Sequence, residues 1–239
     1  MEEDLRLVDL LCEVVDARIP VSSRNPDIDR LAGSKPRLMI FNRADQADPA
    51  MTARWIARYR EQGFGVLETD ARQGRGVGKF PAAVRAVLKD KIEAWRAKGQ
   101  VGRPIRVMVA GIPNVGKSTF INKVARRKSA VTGDRPGVTR GRQWVTIDSG
   151  LELLDTPGIL WPKFEDETTG LHLAFTGAVK DEIMDTETLG CHLMALLGER
   201  YPQALLEGYK LKELPAREDG ENDVAWAAVC WRGPPSAGG

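Results

Sequence analysis

Short apolar runs alternate along the first two thirds of the chain with segments whose apolar residues recur at helical spacing. Four runs read as strands that end in polar loops: 10–17 (LLCEVVDA), 36–45 (PRLMIFNRAD), 65–69 and 105–111 (IRVMVAG). Residues 144–148 and 151–155 predict a hairpin around Ser149-Gly150. Strands that alternate with helices predict an α/β fold with a mostly parallel sheet flanked by helices.

The helical pattern divides the chain into parts. We expect helices over Ala50–Gln62 and over 81–98, where Pro81 opens the second helix and Gly99 closes it. After Trp161 strand runs are lacking, and residues 168–210 show helical spacing throughout. The sequence therefore predicts three parts: a first domain over 1–162, a smaller all-helical domain over 163–215, and a disordered tail over 216–239.

Composition places the chain among ordinary globular proteins. It has 239 residues, of which 42% are hydrophobic and 28% charged, and no apolar run is long enough to span a membrane. Cys12, Cys191 and Cys230 lie far apart, which favours a reducing compartment, so we expect a cytoplasmic protein. The acidic N-terminal residues predict no targeting signal.

Charge is distributed unevenly behind the small net value of +2. Residues 1–160 carry 28 Lys and Arg against 19 Asp and Glu, whereas residues 161–239 carry 7 against 14. The basic part, and in particular residues 126–142, could contact a polyanion such as RNA. It could equally form a solvated surface, and charge alone leaves both interpretations open.

The segment GIPNVGKST (111–119) lies between a predicted strand and a helical segment, and it fits the pattern of a phosphate-binding loop. Gly111 and Gly116 would let the backbone approach phosphate, Lys117 would supply a fixed positive charge, and Ser118 could bind Mg²⁺. The backbone amides would come from Asn114, Val115, Gly116, Lys117, Ser118 and Thr119. A glycine turn before a helix is the alternative.

Two further loops could complete a triphosphate site. In DTPG (155–158), Asp155 could hold Mg²⁺ through water, and the Gly158 amide could meet the γ phosphate. In GDRPGVT (133–139), the hydroxyl of Thr139 could bind the same ion. We therefore expect Thr139 and Asp155 to be switch residues, although Asp-x-Pro-Gly is also an ordinary turn.

NRAD (42–45) and TDARQGRG (69–76) each follow a predicted strand and are candidate base-binding loops. The carboxylate of Asp45 can accept from two donors of guanine, a pattern that adenine does not offer. In the second loop, Ala71 could donate its amide to the guanine O6. For NRAD there is an alternative, because Asn-x-x-Asp is also a common helix cap. The candidate base-binding residues are Asn42, Arg43, Ala44, Asp45, Asp70 and Ala71.

These five motifs, together with VVDARIPVSSRNP (14–26) and DTPGILWPKFED (155–166), resemble the circularly permuted ribosome biogenesis GTPase A family, also called YlqF-like. The resemblance covers about residues 5–215. It implies a circularly permuted P-loop GTPase fold, GTP and Mg²⁺ as ligands, and a role in maturing the large ribosomal subunit. The implied partners are the precursor of that subunit and its RNA; we expect no DNA partner and a monomer.

The resemblance also bears on catalysis. It implies that Asn114 holds a potassium ion, and that Ile159 stands where many GTPases have a water-positioning glutamine, so no catalytic side chain is assigned. Arg43 replaces the usual lysine of NKxD. The family's N-terminal PGHM-like segment precedes the first residue of this sequence, so we expect weak GTP turnover, and a nucleotide-regulated RNA-binding scaffold is the alternative. His172 and His192 suggest no zinc site.

Overall fold

The computed structural model describes residues 2–129, 143–148, 150–155, 166–179, 185–216, 222–224 and 226–227. Its strands are β1 (Leu10–Asp16), β2 (Arg37–Asn42), β3 (Gly65–Glu68), β4 (Ile105–Ala110), β5 (Gln143–Asp148) and β6 (Leu151–Asp155). Its α-helices are α1 (Glu2–Arg6), α2 (Asp27–Ala32), α3 (Pro49–Glu61), α4 (Phe80–Val87), α5 (Lys89–Ala97), α6 (Lys117–Ser129), α7 (Glu167–Phe175), α8 (Thr186–Arg200) and α9 (Pro202–Tyr209).

The strands form one sheet in the order β3-β2-β1-β4-β6-β5. All neighbouring pairs are parallel except β5 and β6, which form the expected antiparallel hairpin. Because β1, β2, β3, β4 and β6 point the same way, their carboxyl ends share one edge of the sheet. The loops that follow these ends are therefore neighbours in space, whatever their order in the chain.

Helices cover both faces of the sheet, since side chains alternate along each strand. Met39 and Phe41 of β2 pack with Tyr59 of α3 on one face. Leu38, on the opposite face, lies near Val87 of α4. Both side chains surround Gly65, where an added Cβ would approach each of them. The rings of Phe80 and Phe120 meet edge to face at 5.2 Å, which joins α6 to α4 on that second face.

The helix expected over 81–98 is divided at Leu88, which has φ −98° and ψ 14°. Leu88 is fully buried, whereas α5 has no buried residue. The division thus keeps Leu88 in the core while α5 continues along the surface. Periodicity did not reveal it, because the apolar spacing is maintained across the junction.

The chain divides into two compact units, Met1–Phe164 and Glu165–Gly239. In the second unit α7, α8 and α9 replace the continuous helical pattern. Its core contains Met194, Ala195, Leu205, Trp226 and Ala227. Trp226 and Ala227 are buried, so this part of the segment expected to be a disordered tail is instead packed against helices. Among the described residues, no helix has the length and apolar character needed to cross a membrane.

Candidate functional site

The predicted motifs meet at the carboxyl edge of the sheet. NRAD begins with the last residue of β2, TDARQGRG follows β3, GIPNVGKST follows β4, and DTPG begins with the last residue of β6. Thr139 and Gly158 lie outside the described residues, as does most of the basic stretch 126–142. The backbone of Asp155 belongs to β6, and its side chain is not described.

The loop between β4 and α6 has the geometry of a phosphate-binding loop. Asn114 and Gly116 have positive φ values of 61° and 91°, so the backbone turns sharply just before α6 begins at Lys117. A Cβ at Gly111 would lie 2.7 Å from the carbonyl oxygen of Val14, which explains the glycine there. Lys117 is 7% exposed, while Ser118 and Thr119 at the start of α6 are exposed.

Asn42 joins three of the motifs through its side chain and is 2% exposed. Its Nδ2 donates to the carbonyl oxygen of Val115 at 2.8 Å. Its Oδ1 accepts from Thr69 Oγ1 at 3.2 Å and from the Ala71 amide at 3.0 Å. A Cβ added at Gly116 would lie 2.3 Å from Asn42 Nδ2, so glycine at this position lets Asn42 reach the phosphate loop.

The loop 69–76 is held by Asp70, which is 4% exposed. Its carboxylate accepts from the Gln73 amide at 3.0 Å and from Arg75 Nη2 at 3.2 Å. Asp70 and Arg75 also form an isolated bridge between their backbones. In this structure the carboxylate of Asp70 therefore shapes the loop, and Asp70 also borders the cavity where the loops meet.

The sequence predicts that the Ala71 amide donates to the guanine O6, and the structure shows an additional partner for this amide within the protein. In the structure it donates to Asn42, so a base could use it only by sharing or replacing that bond. Spacing along the chain does not reveal this contact, because it joins residues in two different loops.

A cavity of about 350 Å³ lies where these loops meet. It is lined by Asn42, Arg43, Asp45, Gln46, Asp70, Ala71, Arg72, Gly116 and Thr119. The carboxylate of Asp45 is exposed and accepts no hydrogen bond within the described part of the chain. The neighbouring Ala44 donates its amide to the Thr69 carbonyl oxygen at 3.2 Å, which fixes the NRAD loop beside the cavity. The arrangement leaves one acidic acceptor available to a ligand with paired donors.

Arg43 connects the NRAD loop to its surroundings. Its backbone is left-handed, with φ 59° and ψ 31°. Its Nη2 donates to the carbonyl oxygen of Asn114 at 2.7 Å, and its Nε lies 3.7 Å from Asp16 Oδ2. The guanidinium thus links the phosphate loop to the end of β1.

Asp16 and Arg18 were not assigned a role from the sequence. Asp16 is 3% exposed, and its carboxylate accepts from Arg18 Nε at 2.9 Å and from Arg18 Nη2 at 2.6 Å. The pKa of Arg18 is raised, first by this hydrogen bond and also by the charge of nearby Asp45. The signal that could have found them is DAR itself, an acid and an arginine placed directly after a strand at the carboxyl edge of the sheet.

The first comparison with known proteins concerns sequence. Residues 106–197 match the family model described as 50S ribosome-binding GTPase. Ribosome biogenesis GTPase A from Priestia megaterium is 50% identical over 214 residues, which cover 89% of this chain and 74% of that protein. The chain belongs to the ribosome biogenesis GTPase A family.

Solved structures agree with this membership in the family. The GDP-bound structure of TM YlqF has a TM-score of 0.60 and 26% sequence identity to this chain. The match covers 96% of this chain and 90% of the YlqF chain. GNP-bound YlqF from T. maritima has a TM-score of 0.58 and 25% identity, with 96% and 88% covered. The predicted P-loop GTPase fold, with its mostly parallel sheet flanked by helices, is confirmed.

Proteins of the ribosome biogenesis GTPase A family are GTPases by name, and the described residues of this member suit a nucleotide with Mg²⁺. The exposed hydroxyl of Ser118 lies at the start of α6, where Mg²⁺ would be held by one side chain together with phosphate oxygens. Asn114 is exposed beside it and could supply an amide oxygen to a second cation. Groups of three or more His, Cys, Asp or Glu that could hold a metal without a nucleotide are absent from the described ranges.

Proposed function

We propose that this chain binds and hydrolyses GTP and that its GTP-bound form docks on a precursor of the large ribosomal subunit, from which hydrolysis releases it. The relatives support the proposal through their names, since one is a ribosome biogenesis GTPase and the matching family model describes a 50S ribosome-binding GTPase. Ribosomal RNA is the proposed contact within that particle. The proposed location is the cytoplasm, in which the free thiols of Cys12 and Cys191 would stay reduced.

The observation that carries the proposal is the set of three hydrogen bonds made by Asn42. They hold the NRAD loop, the loop 69–76 and the phosphate loop around one cavity, with Asp45 at its border. A guanine in this cavity would donate N1–H and its amino group to Asp45. Its phosphates would extend toward the amides before α6, whose N-terminal dipole favours negative charge.

We further propose the roles of the ions and of the loops that sense the γ phosphate. Ser118 and Thr139 would bind Mg²⁺, Asp155 would hold that ion through water, and the Gly158 amide would contact the γ phosphate. Asn114 would hold a potassium ion, which would supply positive charge near the γ phosphate. These are proposals from the sequence motifs and the family, because Thr139 and Gly158 lie outside the described residues.

Turnover of GTP, measured with and without potassium and with and without large ribosomal subunits, tests the proposal. We expect potassium and the subunit each to raise the rate. Binding of GTP without turnover under all four conditions would leave a nucleotide-regulated RNA-binding scaffold in place of an enzyme.

Lys117→Ala tests the phosphate loop directly, because the residue begins α6 at the end of that loop. The variant should stay folded and lose triphosphate binding. Normal GTP affinity in Lys117→Ala would show that the loop before α6 is not the phosphate site.

A further inference from the structure

A second cavity lies at the edge of the sheet opposite the nucleotide loops, where the parallel strands begin. It has a volume of about 600 Å³ and is bordered by α4, α5 and the segment that connects α5 to β4. Its charged and aromatic lining residues are Arg85, Lys89, Glu93, Trp95, Arg96 and Arg103, so four cations stand against one acid. Cations and an aromatic ring therefore surround a space that the GTPase site does not use.

Positive charge dominates this part of the chain. Residues 85–106 contain seven Lys and Arg and only two acids, Asp90 and Glu93. Lys89, Arg96 and Lys98 are exposed and take part in no ion pair within the ranges that the structure describes. Lys89 and Arg96 are seven residues apart, two turns of helix, so they share one side of α5 about 10 Å apart along its axis. Lys98 lies nine residues after Lys89, about half a turn around the helix from it, and does not line the cavity. We call Lys89 and Arg96 the basic row.

Other cations beside the cavity are fixed in place. The guanidinium of Arg103 lies 4.2 Å from the ring centroid of Trp95, and the ammonium of Lys91 lies 5.4 Å from it. Both cations also contact Asp9 Oδ1, at 3.1 and 3.3 Å. Asp9 is 5% exposed, and its buried carboxylate holds both cations in place. Because one negative charge faces two positive charges, it neutralises only part of their charge.

Lys35 adds to the positive field at the same edge. Its Nζ donates to the carbonyl oxygen of Val8 at 2.6 Å. The pKa of Lys35 is lowered, first by burial and then by repulsion from Lys91. That repulsion is what a region with a surplus of cations produces, and an anionic ligand would relieve it.

We propose that the basic row and the cavity beside it bind the phosphate backbone of RNA. Exposed Lys and Arg without partners gain by displacing counterions from a polyphosphate chain, and this contact does not read base sequence. The inference rests on the proposed function for the source of the RNA, which is the large ribosomal subunit. It adds a contact at the edge of the sheet away from the nucleotide, so binding here does not depend on whether GTP or GDP is bound.

The experiment compares two double variants of the full chain. Lys89→Gln and Arg96→Gln remove the basic row. Arg54→Gln and Arg58→Gln remove two exposed cations from α3 and serve as the matched control. The probe is protein-free RNA of the large subunit, and its affinity is measured from low to high salt with GDP and with a non-hydrolysable GTP analogue.

Loss of two phosphate contacts should lower the slope of log affinity against log salt concentration by about 1 to 2 and weaken binding by roughly fivefold or more. The same loss should occur with both nucleotides, while GTP affinity and the control variant keep native values. An unchanged salt slope in the basic-row variant would overturn the proposal. An unchanged slope with RNA together with weaker binding to the whole subunit would also overturn it, because the basic row would then contact a ribosomal protein.

Acetylation of lysine provides a second measurement on the native chain. Bound RNA should protect the amine of Lys89, and equal modification of Lys89 with and without RNA would overturn the assignment. Failure of the proposed GTPase function is distinguishable, because it would appear as absent GTP binding or turnover while protection by RNA persisted.

Discussion

At the scale of single residues, Asn42 explains why the NRAD loop needs an amide at its first position. The side chain uses both lone pairs of its oxygen and one N–H, each on a different partner. A carboxylate would lack the donor for Val115, and a shorter or apolar side chain would lack both functions. The role of Asn42 is therefore to assemble the loops around the cavity, while Asp45 is left to meet the ligand.

Asn42→Ala should lower both stability and nucleotide affinity. The substitution leaves the Val115 carbonyl and the Ala71 amide without their buried partner, which costs about 2–4 kcal/mol of unfolding free energy. Urea unfolding and GTP titration measure the two effects. Gln46→Ala, at an exposed residue that lines the same cavity, is the control and should change stability by less than about 0.5 kcal/mol. Native GTP binding in Asn42→Ala would show that the loops assemble without it.

Asp45→Asn should change the base that is bound and leave the fold intact, since the residue is exposed. The asparagine oxygen can still accept from N1–H, but the asparagine NH2 would face the guanine amino group as donor against donor, and the negative charge is lost, so GTP binding should weaken by roughly 100-fold or more. Xanthosine triphosphate should gain affinity, because the asparagine amide can donate to the C2 carbonyl of xanthine. Titration of both nucleotides against native and variant chains measures the exchange, and an unchanged preference for GTP would remove Asp45 from the base site.

At the scale of elements, α8 shows how a close approach can require glycine within a helix. A Cβ added at Gly198 would lie 2.4 Å from Cη2 of Trp226. Trp226 is 6% exposed, and its indole N–H donates to the carbonyl oxygen of Pro215 at 3.0 Å. The ring is thus held at both ends, which leaves it little freedom to move away from a methyl group.

Gly198→Ala should therefore destabilise the C-terminal unit by about 1–3 kcal/mol, as expected for overpacking. Gly190→Ala is the matched control in the same helix, because a Cβ there meets nothing within 4 Å. It should stabilise by about 0.5–1 kcal/mol through helix propensity. Thermal unfolding with tryptophan fluorescence measures both variants, and equal effects of the two substitutions would contradict the packing of Trp226 against α8.

Elements and side-chain contacts differ in how far the sequence predicted them. The strands and the loops at their carboxyl ends follow from local runs of apolar residues, so β1, β2, β3 and β4 were found within a few residues of their bounds. The division at Leu88 was missed because helical spacing continues across it. The bond of Asn42 to Val115 depends on how two loops meet, which spacing does not encode. The bond of Arg18 to Asp16 is local and lies within DAR, so the sequence could have indicated it.

At the scale of the whole molecule, the order of the motifs in the chain does not matter to the site. The NRAD loop follows β2 and the loop 111–119 follows β4, yet both lie at one edge of the sheet because the strands are parallel. What the circular permutation changes is the exit of the chain. After β6 and DTPG, the chain passes through residues 156–165 directly into the C-terminal unit, so the segment expected to sense the γ phosphate is also the connection between the units.

This connection predicts that the C-terminal unit responds to the nucleotide. Hydrogen exchange over residues 155–180 and affinity for the large ribosomal subunit should both differ between GDP and a non-hydrolysable GTP analogue. A ligand shifts an equilibrium only through its differential affinity for the two states, so the difference must arise where the γ phosphate is sensed. Gly158→Ala should remove it, because the added methyl group hinders approach of that amide to the phosphate while Asp45 and Lys117 are unchanged. Equal exchange and equal subunit affinity in the two nucleotide states of the native chain would show that residues 156–165 transmit no signal and that the permutation has no functional consequence.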